Sequence, residues 1–85
     1  MVLLPDFKLY PNPSSDLVTI KFDINSSDNA QVYIVDIMGK HIINLDKPIT
    51  GLNQIQFSVE NLTPSIYFVI LDTDKGKRVK KLIVK

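Results

Sequence analysis

The sequence contains no cysteine. Without thiols there is no disulfide framework and no cysteine-based zinc site, so the fold rests on its apolar core alone. Histidine occurs once, at His41, beside a turn and without metal-ligand spacing around it. It reads as a surface or packed side chain. With no thiol and no second imidazole, nucleophilic triads lack partners. Glycine is scarce, three residues in 85, each at a turn, which leaves no phosphate-cradling loop. No apolar run approaches the roughly 18 residues that a membrane helix needs. No cofactor is expected.

Several faint patterns fail on their details. Asp72-x-Asp74-x-Gly76 has the start of a calcium loop, but its twelfth position is Ile83, where a bidentate Glu belongs. Asp23 and Asp36 both lie on strand-like stretches, yet nothing marks a cleft around them, and solvated strand-face acids are the default. Asn25-Ser26-Ser27 and Asn61-Leu62-Thr63 match the glycosylation pattern and matter only in a eukaryotic secreted host. Nucleic-acid binding wants aromatics interleaved with basic residues, and the basic stretch after Gly76 has none.

What is present is one domain's worth of chain, 45% apolar and 22% charged. A domain this small buries roughly 60% of the surface its unfolded form exposes, so its stability is modest. The formal net charge is +1, but six of the ten basic residues (Lys75, Lys77, Arg78, Lys80, Lys81, Lys85) fall in the last eleven positions, with no acid among them. They read either as the blunted solvent face of a last strand or as a patch for an acidic partner.

Periodicity is that of strands throughout. Residues 7–10 make a short first strand, and Pro11-Asn12-Pro13 then forbids regular ladder bonding, because two of its three residues lack an N–H. Residues 17–24 alternate, with Val18, Ile20, Phe22 and Ile24 on one face. Residues 30–37 are apolar on both faces in the middle, as in a central strand, and turn at Met38-Gly39-Lys40 into residues 41–45. Residues 52–59 place Ile55, Phe57 and Val59 inward. The most apolar stretch is the last hairpin: residues 65–72, a four-residue turn at 73–76, and residues 77–85. Seven strands with turn signals about every 8–12 residues predict an all-β, seven-stranded antiparallel immunoglobulin-like β-sandwich. A small barrel is the alternative. By its residues alone the chain is a non-catalytic all-β module.

Four stretches add a resemblance. They are Tyr10-Pro11-Asn12-Pro13 followed by Leu17-x-x-Ile20; Val35-Asp36-Ile37-Met38-Gly39-Lys40; Leu62-Thr63-Pro64-Ser65-Ile66-Tyr67-Phe68-Val69; and Lys81-Leu82-Ile83-Val84-Lys85. In this order and spacing, from about Phe7 to the end, they resemble the type A C-terminal sorting domain of the type IX (Por) secretion system. Ser65 stands where that family usually has Gly. The resemblance implies an immunoglobulin-like sandwich at the end of a secreted cargo protein. Its partners would be the outer-membrane translocon, a sortase-like cell-surface peptidase and an N-terminal cargo domain. The cargo would pass through the periplasm to the cell surface or the medium, and cleavage would fall in the linker before the first strand. Residues 1–6 then read as a truncated leader, and residues 7–85 as the sorting domain.

Within this frame Tyr10, Pro11, Asn12 and Pro13 form a rigid corner that sets the angle between cargo and domain. Asp36 caps the turn of Gly39 and Lys40, and Gly76 serves the last turn. Tyr67 makes a corner with Leu62-x-Pro64, its hydroxyl bonded back to the crossing loop. The translocon-recognition residues are Lys81, Leu82, Ile83, Val84 and Lys85, read by strand addition at an exposed edge or through the lysines. The test this reading suggests is deletion of Leu82 to Lys85 from a reporter fusion, with a check that the domain still folds. The competing readings are a retained carbohydrate- or adhesin-type module and an inert spacer. A sugar-binding module needs an exposed aromatic platform, whereas the seven aromatics here mostly take inward positions.

Overall fold

The computed structural model describes residues 6–23, 30–45, 54–73 and 76–85. Among these residues there is no helix, and seven strands form: β1 (Asp6–Tyr10), β2 (Leu17–Asp23), β3 (Ala30–Asp36), β4 (His41–Leu45), β5 (Gln54–Ser58), β6 (Ser65–Thr73) and β7 (Gly76–Val84). They make two antiparallel sheets, one ordered β1-β2-β5 and the other β4-β3-β6-β7. The separate sheets settle the architecture as a sandwich and not a closed barrel. The long connections appear as the non-sequential neighbours β2–β5 and β3–β6.

Strand alternation builds the core. Val18, Ile20 and Phe22 of β2 meet Phe7 and Phe57 of their own sheet. Val32, Ile34, Tyr67, Val69, Leu71, Leu82 and Val84 close over them from the other sheet. Each such side chain contributes about 1.5–3 kcal/mol on leaving water, which is how a chain without disulfides holds together. Ile24, expected on the same face, lies outside the described residues, as do Met1 to Pro5, the loops at 25–29 and 46–51, Leu52, Asn53 and the turn residues Asp74 and Lys75.

Three expectations change. β1 begins at Asp6, which pairs with Asp23. In the last hairpin Thr73 pairs with Gly76, so the connection is two residues long and not four. Gly76 has a φ of 136°, a conformation that glycine adopts without a Cβ penalty. The aromatics are also less uniformly inward than alternation implied. Phe7, Phe22, Phe57 and Tyr67 are buried in the core. Tyr33 and Phe68 instead point out of the four-stranded sheet, and Tyr10 is exposed. The reason is that β3 and β6 are central strands, whose outer-face side chains also lie under neighbours. Tyr33 pairs with Ile70 and Val35 with Phe68, and Tyr33 stacks on His41 at 4.6 Å.

Candidate functional site

β7 is an edge strand, but its last residues are not open. The Asn12 carboxamide donates to the carbonyl of Lys81 (2.8 Å) and accepts from the N–H of Ile83 (3.0 Å). Two residues on, the Ser14 N–H donates to the Ile83 carbonyl, and the Lys85 N–H donates to the Ser14 carbonyl, both at 2.9 Å. Ser14 forms a parallel bridge with Val84. Residues 12–14 therefore act as a short extra strand clasping the end of β7. The sequence dictates how. Pro11 and Pro13 have no N–H to offer, so the ladder bonds come from the Asn12 side chain and from the first free amide after the prolines, that of Ser14. Both prolines follow cis peptide bonds.

The clasp is tied to the other sheet as well. Val59 donates its N–H to the Asp16 carbonyl at 2.8 Å, and the buried Ser14 hydroxyl donates to the Leu17 carbonyl at 3.2 Å. Ser14 was absent from the expected site residues. The signal that marks it is its place as the first amide donor after Pro-Asn-Pro.

Across the sheet the register lines up what the sequence scatters. Asp36 pairs with Tyr67, and Tyr67 pairs with Leu82. Asn12 grips the backbone on either side of Leu82. The four sequence stretches thus meet at one end of the molecule. Around Asp36 the turn is built by its carboxylate, which accepts from the N–H groups of Met38 and Lys40, each at 2.9 Å. The register shift between Ile34 and Val35 lies further along, where Val35 pairs with His41 and Ile34 with Ile43, so that Ile42 is the extra residue. At the turn itself the Gly39 N–H donates to the Asp36 carbonyl with φ at 84°, and the Asp36 N–H donates to the Lys40 carbonyl, both at 3.0 Å. That is a type I turn with a glycine bulge. Tyr67 is 5% exposed, and its hydroxyl donates to the Thr63 carbonyl at 2.6 Å. Ser65 lies in β6 opposite Val84, an ordinary strand position.

The proposed recognition stretch divides by parity. Leu82 and Val84 are core residues at 0% and 3% exposure; Lys81 and Lys85 are exposed, and Ile83 is half-buried on the outer face. With Asn12 and Ser14 in place, no foreign strand can pair at Ile83 unless it displaces the clasp. Gly76 lies at the other end of β7 and takes no part in this cluster. Tyr10, Leu17, Ile37, Met38 and Ile66 are large apolar side chains that this end leaves exposed.

β1 reaches this end only at its last residue. Tyr10 pairs with Thr19 here, while Asp6 and Asp23 are at the far end of the same pair. At about 3.3 Å per residue, β1 separates Asp6 from the corner by roughly 13 Å. The Pro-Asn-Pro corner therefore lies at the opposite end of β1 from Asp6.

Among the described residues no group of three or more His, Asp or Glu is placed to hold a metal ion. No curated protein matches the chain. A family model described as the secretion system C-terminal sorting domain matches residues 8–85. That match takes in all four stretches that the fold gathers at one end, and the chain belongs to the family of type IX secretion C-terminal sorting domains, signals that direct proteins toward the cell surface or the extracellular space.

Proposed function

We propose that the end of the domain where the four stretches meet is the face that the type IX translocon reads, with cargo carried at the opposite end. One observation supports this most. The register puts Asp36, Tyr67, Leu82 and Asn12 side by side, a β1 length away from Asp6. An address held there stays clear of a folded cargo preceding Asp6. In this reading Lys81, Ile83 and Lys85 supply the contacted side chains from β7, while Leu82 and Val84 hold that strand in the core. The seven strands in two antiparallel sheets, with β1, β2 and β5 together and β3, β6 and β7 together, and the Tyr67 corner support an immunoglobulin-like relationship, with β4 paired to β3 in the second sheet. The cargo crosses the periplasm, and a sortase-like peptidase removes the domain at the cell surface by cutting ahead of β1. The domain contributes recognition and no chemistry of its own.

Deleting residues 82–85 is a poor test, because it removes two core side chains and most of the clasp. The informative variant is Lys81→Glu with Lys85→Glu, which leaves Leu82, Val84 and the backbone bonds in place. Fused behind an exported, folded reporter in a type IX-competent host, the intact domain should deliver the reporter to the surface or medium. The double variant should fold, melt close to the parent, and leave the reporter in the periplasm. Secretion of the folded double variant at the parent level would refute the assignment of the lysines.

A further inference from the structure

We infer that the first half of β7, from Lys77 to Lys81, is a strand-addition site for an extended protein segment whose one face presents an acidic, an apolar and an acidic side chain at every second position. The clasp shows which backbone groups face outward. Lys81 offers its carbonyl, Ile83 both its groups and Lys85 its N–H. These are all odd-numbered residues, and strand geometry repeats every two. The N–H and carbonyl of Val79 and the N–H of Lys81 therefore face the same way, and no described residue bonds to them. A ladder that residues 12–14 complete at one end is left open at the other.

The remaining edges are poorer templates. β1, β4 and β5 have five residues each, and β4 lies opposite the register shift at Ile34 and Val35. β7 has nine residues paired in unbroken register with β6. Short or bulged edges resist pairing, and long regular ones invite it. The side chains on the outer face of this half set the partner's chemistry. Lys77 and Lys81 are exposed and flank Val79, which is 56% exposed and backed by Ile70. A strand laid alongside would meet charge, apolar surface and charge, so acid–apolar–acid is complementary, and basic segments are repelled. Asp72 offers Lys77 only a marginal ion pair, at 4.0 Å. This surface runs along the strand and stands whether or not the clasped end is the address.

The test uses the 85-residue chain, labelled for amide NMR. The probe is a blocked peptide of about ten residues carrying Glu-Thr-Val-Thr-Glu (the Glu–Val peptide), which puts acid, apolar and acid on one face of a strand, with the matching Lys-Thr-Val-Thr-Lys sequence (the Lys–Val peptide) as control. The Glu–Val peptide should shift the Val79 and Lys81 amides saturably and slow their hydrogen exchange by about tenfold or more. The control should do neither. Val79→Pro removes an N–H that faces away from β6, so the sheet keeps its own ladder, and binding should weaken by at least about tenfold. Lys77→Glu with Lys81→Glu keeps every amide and should exchange the preference to the Lys–Val peptide. The inference is overturned if both peptides act alike on the parent chain, or if neither perturbs the Val79 and Lys81 amides. It is equally overturned if those amides become protected with rising protein concentration and no peptide, which would assign the edge to a second copy of the chain.

Discussion

The carboxamide of Asn12 is bonded to the backbone of Ile83, 71 positions later, and to that of Lys81 beside it. A side chain here takes the role that a neighbouring strand's peptide group usually fills. It joins the opening and closing motifs of the domain into one edge.

Asn12→Ala should therefore loosen the end of β7 and little else. Two partly solvated hydrogen bonds are lost, a cost of about 1–2 kcal/mol in total. Urea denaturation measures that sum. Amide exchange supplies the local readout: the Ile83 amide should exchange faster, while that of Val69 in the core of β6 keeps the protection set by global unfolding.

Leu82 and Lys81 are neighbours with opposite consequences. Leu82→Ala empties a fully buried position and should cost about 2–5 kcal/mol, enough to unfold much of a small domain near 37 °C. Lys81→Ala trims an exposed side chain and should stay within about 0.5 kcal/mol. Thermal melts of the two variants side by side check the division of β7 into structural and presented residues.

Gly39→Ala tests the turn. Nothing within 4 Å would meet the added Cβ, so crowding is not the issue. The φ of 84° is, and an L-residue there costs about 1–2 kcal/mol. Gly39→Asn should recover part of that loss, since Asn tolerates the left-handed region better. The midpoint of denaturation should rank Gly above Asn above Ala.

Tyr67→Phe removes one hydroxyl and keeps the ring in the core. The Thr63 carbonyl it releases belongs to an exposed residue and regains water, so the loss should be near 1 kcal/mol and not the larger penalty of a buried orphan. Loss of the corner should also show as faster amide exchange in residues 62–64.

Much of this is legible in the amino-acid sequence alone. The alternation of Val18, Ile20 and Phe22 names one inward face, and Asp36 before Met38-Gly39 names a capped turn, because both depend on residues close in sequence. Less legible were Tyr33 and Phe68, which look like core aromatics and sit on the outer face instead. Period-two patterns give two faces but do not say which one is covered when both are apolar.

Local chemistry, then, determined the strands, the turns and the family motifs, since φ preferences, missing amides and side-chain period act over a few residues. Only the tertiary structure decided that Ser14 belongs with the motifs, that the corner is remote from Asp6, and that Lys81 to Lys85 is half core and half surface. Those facts depend on the register between strands tens of residues apart, which is set by how two apolar faces pack and by which backbone groups are left for Asn12 to satisfy.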